Sequence, residues 1–177
     1  MATLAATAAV LETYGGFPAA RTRTVARRLL EDNLLTPGAP GVAVAINESD
    51  FALLLLAIAS GAPLSKVTKA TTELASTTPN GVGVSVMPEA IRPTRRTAFD
   101  VLHDIIWNTA YGDGQSKFDV EVVATWPEVA FHAADGVARF LPPGSLAGHW
   151  QSAKQRRATV IPYAALFLAA RNLFGEN

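Results

Sequence analysis

Residues 21–51 read RTRTVARRLLEDNLLTPGAPGVAVAINESDF, and this stretch decides the fold expected for the first half of the chain. On a helical wheel of about 100° per residue, Val25, Ala26, Leu29 and Leu30 form one apolar arc. The opposite side carries polar side chains, namely Arg21, Arg23, Thr24, Arg27 and Arg28. The pattern predicts an amphipathic helix that buries one side and exposes a basic one.

The second half of the same stretch predicts a β-hairpin followed by a helix. Residues 34–36 and 42–46 favour strands, and PGAPG between them supplies turn residues. Asn33 stands at the predicted end of the arginine helix, where asparagine tolerates the left-handed conformation. In NESD, Asn47 or Ser49 can cap a new helix. Residues 51–59 are apolar on nearly every side, so we expect protein to cover this helix all round.

Upstream, residues 2–14 predict a first helix that stops at Gly15 and Gly16, and Pro18 suits the start of the next one. The order is therefore helix, tight break, arginine helix, two-stranded wing, helix. A helix of this kind fits the major groove of DNA, and guanidinium groups bond to guanine edges or to phosphates. Threonine hydroxyls suit phosphate contacts, and a glycine at a hairpin tip allows close approach to the backbone.

The second half of the chain predicts a smaller α+β unit. Helical spacing returns at residues 97–111, strand alternation at 118–126, and a second strand pair at 129–140. A last helix is expected after Pro162. The predicted fold class is thus mixed α/β (α+β), with a winged helix-turn-helix domain at 1–76, a Pro/Arg-containing connection at 77–97, and an oligomerisation or effector domain with a hairpin or meander at 98–177.

The motif TRTVARRLLEDNLLTPGAPG resembles the winged helix-turn-helix modules of MerR-like regulators and of small DNA-binding proteins in bacterial phages and prophages. The resemblance covers roughly residues 5–60, and it implies binding to double-stranded DNA as a dimer or larger homo-oligomer. A second basic group lies in the connection, and two lysines follow the apolar helix. The predicted DNA-contacting residues are Arg21, Thr22, Arg23, Thr24, Arg27, Arg28, Gly38, Lys66, Lys69, Arg92, Arg95 and Arg96.

Composition limits the alternatives. Fifteen basic and fifteen acidic residues give a net charge of zero, so DNA binding has to come from a local patch. The chain has no cysteine, and its three histidines lie far apart. No catalytic or metal motif is present, and His103-Asp104 alone does not make one. We therefore expect no enzyme activity, no cofactor and no metal site. The N-terminal sequence lacks the basic start of a signal peptide, so we expect a cytoplasmic bacterial protein that is not bound to membrane.

Three roles fit these features of the sequence. The first is a sequence-specific transcriptional regulator of phage or prophage type. The second is a small terminase subunit, which marks DNA for packaging and assembles into a ring. The third is a protein-protein adaptor that would use the apolar helix and the hairpin as docking surfaces. The clustered arginines favour DNA, and the neutral net charge favours the adaptor.

Overall fold

The structure, a computed structural model, describes residues 2–38, 41–83, 89–91, 97–112, 117–145 and 155–175. Six α-helices lie in these ranges: α1 Leu4–Gly15, α2 Ala19–Glu31, α3 Glu48–Ala59, α4 Val67–Ala75, α5 Ala98–Tyr111 and α6 Tyr163–Phe174. A small antiparallel sheet pairs β1 Ala2–Thr3 with β2 Ala45–Ile46. The larger antiparallel sheet has the order β3-β6-β5-β4-β7, with β3 Thr78–Pro79, β4 Asp119–Val123, β5 Glu128–Ala133, β6 Gly136–Leu141 and β7 Ala158–Ile161. The predicted mixed α/β class is confirmed.

Local capping signals set the helix boundaries where the sequence predicted them. Gly16 ends α1 with φ 69°, and Asn33 follows α2 with φ 56°. The Asn47 side chain accepts the Asp50 backbone N–H at 2.8 Å and so starts α3. Thr97 and Asp100 form a reciprocal capping box at the start of α5. Each of these signals acts within a few residues, which is why the sequence alone is sufficient to find it.

Helix α3 lies at the centre of the core. Phe51, Leu54 and Leu56 are fully buried, and α2, α4 and α5 all pack against this helix. The Phe51 ring meets the Phe174 ring of α6 edge-on at 5.7 Å. The apolar character of α3 on all sides is therefore explained by packing within one chain.

The larger sheet presents one face to this helical core. Val120 and Val122 of β4 are fully buried there, beside Phe131 and Phe140, whose rings meet at 5.4 Å. The predicted hairpin between β5 and β6 is confirmed, with Ala133 paired to Gly136 across the turn. The sheet thus closes one side of the helices.

The hydrophobic core is continuous across the boundary predicted at residues 77–97. Helix α1 packs on α6, and α3 packs on α5 and β7. Within the predicted connection, Thr78 of β3 pairs with Leu141 of β6, so this segment supplies an edge strand of the sheet. The elements of the predicted units 1–76 and 98–177 share one core.

The two-stranded wing predicted at residues 34–46 is not formed by the described residues. The backbone N–H groups of Leu34 and Leu35 both donate to the Leu29 carbonyl near the end of α2, at 2.8 and 3.4 Å. Thr36 donates its backbone N–H to the Asp50 side chain at 3.0 Å. The strand predicted at 42–46 is reduced to β2, which pairs with β1 instead. The prediction of a hairpin at residues 34–46 was wrong. The backbone N–H groups that would pair two strands there are hydrogen-bonded to the end of α2 and to the first turn of α3 instead.

Candidate nucleic-acid interface

Helix α2 holds its four arginines in two pairs on different sides. It is joined to α1 by the short connection Gly16, Phe17 and Pro18, and it buries its Val25 and Leu29 side. On a wheel of about 100° per residue, Arg21 and Arg28 lie about 20° apart and Arg23 and Arg27 about 40° apart. The two pairs flank the exposed side of the helix from opposite edges.

Arg21 and Arg28 are used within the protein. The Arg21 Nη2 donates to the Ala62 carbonyl at 2.5 Å and so ties α2 to the loop between α3 and α4. The Arg28 guanidinium forms ion pairs with Asp32 at 3.1 Å and Glu31 at 3.7 Å. These contacts make Arg21 a structural residue and partly neutralise Arg28.

Arg23 and Arg27 are exposed, and neither forms an ion pair with any residue that the structure describes. They lie one helical turn apart, so both guanidinium groups reach the same strip of surface. Thr24 is also exposed; its Oγ1 donates to the Ala20 carbonyl at 2.9 Å and keeps lone pairs available. These two arginines are the cations of α2 that are exposed and lack an ion-pair partner among the described residues, and we call this surface the Arg23–Arg27 strip.

Thr22 does not belong to that surface, which corrects its assignment as a DNA contact. It is fully buried, and its Oγ1 donates to the Pro18 carbonyl at 3.2 Å. The helical period explains the difference, because Thr22 shares the buried side with Val25, Ala26 and Leu29.

Gly38 is exposed, as expected for a loop near a surface. A Cβ added there would meet the Val44 Cα at 3.5 Å, an ordinary contact, and its backbone lies outside the left-handed region. It is Gly41, with φ 78°, that needs the conformational freedom of glycine in this loop. The predicted Arg92, Arg95 and Arg96 lie outside the described residues.

Lys66 and Lys69 line a cavity of about 610 Å³ between α4 and the turn from β4 to β5. Arg157, Trp126 and Glu73 line the same cavity, and Lys69 pairs with Glu73 at 3.7 Å. Ala62, the partner of Arg21, lies in its wall. The two lysines therefore lie at this cavity, on the side of Arg21, and not on the Arg23–Arg27 strip.

A charged cluster on the outer face of the sheet contains residues that no sequence motif singles out. Glu128 is fully buried and accepts from Arg139 Nη1 at 2.6 Å, from Arg156 Nη2 at 3.1 Å and from Trp126 Nε1 at 2.6 Å. Glu121 accepts from Arg156 Nε at 3.3 Å, forms an ion pair with Arg156 Nη2 at 2.9 Å and contacts His132 Nε2 at 2.9 Å. Strand alternation was the sequence signal that could have placed Glu121 on this face. It lies between the inward-facing Val120 and Val122 and therefore points outward.

Electrostatics inside this cluster favour the charged forms of Glu121 and Arg156. Burial raises the pKa of Glu121, but hydrogen bonds from Arg156 and His132 outweigh it, so the pKa lies below its usual value. Burial lowers the pKa of Arg156, but hydrogen bonds from the guanidinium to Glu128 and Glu121 outweigh burial and raise it. The cluster is held as ion pairs that tie the start of β7 to the sheet.

The dipeptide His103-Asp104 lies on α5 in an aromatic row. The His103 ring stacks with the Phe99 ring, at 5.9 Å between ring centres, and with the Trp107 ring at 6.3 Å. The centres of the Trp107 and Tyr111 rings are 4.7 Å apart. Among the residues with described positions, no group of three His, Asp or Glu side chains is placed to hold a metal ion. The surroundings of His103 are therefore those of a stacked surface ring.

No family model matches the chain, and neither a curated protein nor a solved structure shows significant similarity to it. None of the helices in the described ranges is both long and apolar enough to cross a membrane.

Proposed function

We propose that the protein binds double-stranded DNA through the Arg23–Arg27 strip of α2 and acts as a phage- or prophage-type transcriptional regulator. The observation that carries the proposal is the pair of exposed arginines, one turn apart, without an ion pair among the described residues. Arginine is the side chain best suited to bidentate bonds with phosphate or guanine.

The arrangement around α2 supports this use of the helix. Two helices joined by a three-residue turn that contains glycine are typical of helix-turn-helix units, and α1 and α2 are joined in this way at Gly16. A helix about 10–12 Å across fits a major groove about 12 Å wide. Because the buried side of α2 is fixed by Val25 and Leu29, the strip is presented on a rigid element.

Self-association is part of the proposal. Two arginines on one copy neutralise few phosphates, and a symmetric dimer doubles that number on the same duplex. The expected dimer has a scattering mass about twice the 18.7 kDa of one chain. A ring of many copies would instead favour the small terminase role.

The adaptor role receives less support. It requires the apolar helix and the hairpin as docking surfaces, but α3 is buried by its own chain and the described residues form no wing. The exposed Trp107 and Tyr111 remain as apolar surface on α5.

The test measures DNA affinity against salt. Wild type is expected to bind a duplex of about 20–30 base pairs, with affinity falling steeply between about 50 and 200 mM salt. Arg23→Gln/Arg27→Gln should lower affinity by at least about tenfold. It should reduce the salt slope by about 2–4, because each copy of the dimer loses two arginines. Neither substitution touches the core, so the unfolding free energy should stay within about 0.5 kcal/mol.

A single-charge comparison controls for net charge. Lys117 is exposed in the segment before β4, so Lys117→Gln removes the same charge as Arg27→Gln from another surface. Arg27→Gln should weaken binding more than Lys117→Gln. Equal affinities for the double variant and wild type, or no binding by wild type at low salt, would show that α2 does not contact DNA.

A further inference from the structure

The cavity between α4 and the β4–β5 turn is positively charged. Among the described residues, its wall contains Lys66, Lys69 and Arg157 and one carboxylate, Glu73. Glu73 pairs with Lys69 at 3.7 Å, whereas Lys66 and Arg157 have no ion-pair partner in the part of the chain that the structure describes. Two cations without an ion-pair partner among the described residues thus line the same cavity, which favours an anionic ligand.

One wall of this cavity is aromatic and held in place. Trp126 lines it, and the indole Nε1 donates to the buried Glu128 carboxylate at 2.6 Å. The Arg156 guanidinium lies 5.7 Å from the centre of the Trp126 ring and packs against it. A ring fixed in this way loses little freedom when a flat ligand stacks on it.

The remaining walls are also anchored. The Arg21 side chain bonds to the Ala62 carbonyl at 2.5 Å and holds the loop before α4. On the other side, Ala124 donates its N–H to the Arg157 carbonyl at 2.7 Å, and Arg157 donates its own to Thr125 Oγ1 at 3.4 Å. The cavity is therefore formed by contacts within the protein before any ligand enters.

We propose that this cavity binds a nucleoside monophosphate or a close relative, with the base against Trp126 and the phosphate between Lys66 and Arg157. A volume of about 610 Å³ suits a ligand of that size. Stacking on tryptophan recognises the base, and charge-assisted bonds recognise the phosphate. The proposal goes beyond DNA binding and does not depend on it.

The experiment titrates the full chain with AMP by calorimetry, beside adenosine and inorganic phosphate as separate probes. AMP should bind at least about tenfold more tightly than either fragment, because only AMP uses both the ring and the cations. Lys66→Gln and Arg157→Gln should each weaken AMP binding about tenfold. Trp126→Leu should weaken it to a similar extent, and Trp126→Phe, which keeps an aromatic ring, should restore part of the loss.

Controls separate this proposal from the first. Lys117→Gln and Arg23→Gln/Arg27→Gln should bind AMP as wild type does, since their side chains do not line the cavity. Arg157→Gln leaves the core untouched, so it keeps the test valid if Trp126→Leu fails to fold. The proposal is overturned if inorganic phosphate binds as tightly as AMP, if Arg157→Gln has no effect, or if a single-stranded oligonucleotide outcompetes AMP at the same residues.

Discussion

Replacing Glu128 with glutamine is expected to destabilise the fold more than any exposed charge change. The carboxylate is fully buried and joins Arg139, Arg156 and Trp126 at 2.6 to 3.2 Å. Glutamine has nearly the same shape, but it is neutral and directs an NH₂ group toward one of these donors. The substitution therefore removes the charge of the cluster and leaves its packing in place.

The size of the stability loss in Glu128→Gln depends on how deeply Glu128 and its two arginine partners are buried. Breaking a fully buried ion pair costs about 3–5 kcal/mol. The arginine side chains are 20% and 26% exposed, so water recovers part of that loss. Arg156 also keeps its 2.9 Å contact with Glu121. We expect a loss of about 2–4 kcal/mol in unfolding free energy, which lowers the Tm by about 4–16 °C for a chain of this length.

Urea denaturation followed by circular dichroism measures this loss directly. The matched control is Glu31→Gln, because Glu31 is 56% exposed and lies 3.7 Å from its partner Arg28. That control should change stability by less than about 0.5 kcal/mol. If Glu128→Gln is no less stable than Glu31→Gln, the cluster does not stabilise the sheet and the reasoning from burial is refuted.

Three further substitutions test other parts of the structure. Glu121→Gln should lower stability by about 1–3 kcal/mol at neutral pH. Because the folded pKa of Glu121 is lowered, its stabilisation is complete above the ordinary value of 4.5 and is lost as the pH falls through the folded pKa. Melts from neutral to acid pH should therefore converge for the variant and wild type, and a constant difference contradicts the assignment. Gly16→Ala should cost about 1–2 kcal/mol in urea melts, since φ is 69° there, and Gly136→Ala, with open space and no such φ, is the control. Gly38→Glu should leave stability within about 0.5 kcal/mol but reduce DNA affinity by repelling phosphate. Equal affinity for Gly38→Glu, Gly38→Asn and wild type would place this loop away from DNA.

The helices were predictable because their ends are set by nearby residues. Gly16, Asn33 and Asn47 each adopt the backbone or make the side-chain bond that their residue type favours. The β5–β6 hairpin was predictable for the same reason, since its strands are joined by two turn residues. Such signals need no knowledge of the rest of the chain.

The prediction of the wing was wrong because several segments, some of them distant in the sequence, can compete to pair with the same strand. Turn chemistry around Gly38 and Gly41 was sufficient to suggest a hairpin, but it does not show which strand Ala45 and Ile46 will pair with. In the structure the N-terminal residues Ala2 and Thr3 take that place. The β-branched pattern of residues 42–46 correctly predicted extended backbone at Ala45 and Ile46, but it does not indicate which strand they pair with.

The candidate site was predictable as a concentration of charge but not as a set of accessible groups. Sequence spacing places four arginines on the solvent side of α2, yet only tertiary contacts show that Arg21 is bound to Ala62. In the same way, Glu128 and Arg156 lie far apart in the sequence and meet only through the sheet and the start of β7. Pairing in space decides which charges remain available to a ligand.

That pairing explains how a neutral chain can present cationic surfaces. Several carboxylates are engaged inside the fold, where they stabilise helix starts or partly buried arginines, as Asp100 does at α5 and Glu128 does on the sheet. The Arg23–Arg27 strip and the cavity cations Lys66 and Arg157 have no such partners among the described residues. These cations are therefore local concentrations of positive charge although the net charge is zero.

The two surfaces lie on different sides of α2, and Arg21 connects them. Arg21 projects about 160° from Arg23 on the helical wheel, and its guanidinium holds the Ala62 carbonyl in the cavity wall. DNA on the Arg23–Arg27 strip and a nucleotide in the cavity would thus occupy separate space. A shift of α2 caused by either ligand would reach the other through this bond and through the packing of α2 on α4, where Thr68 Oγ1 donates to Asp32 at 2.5 Å.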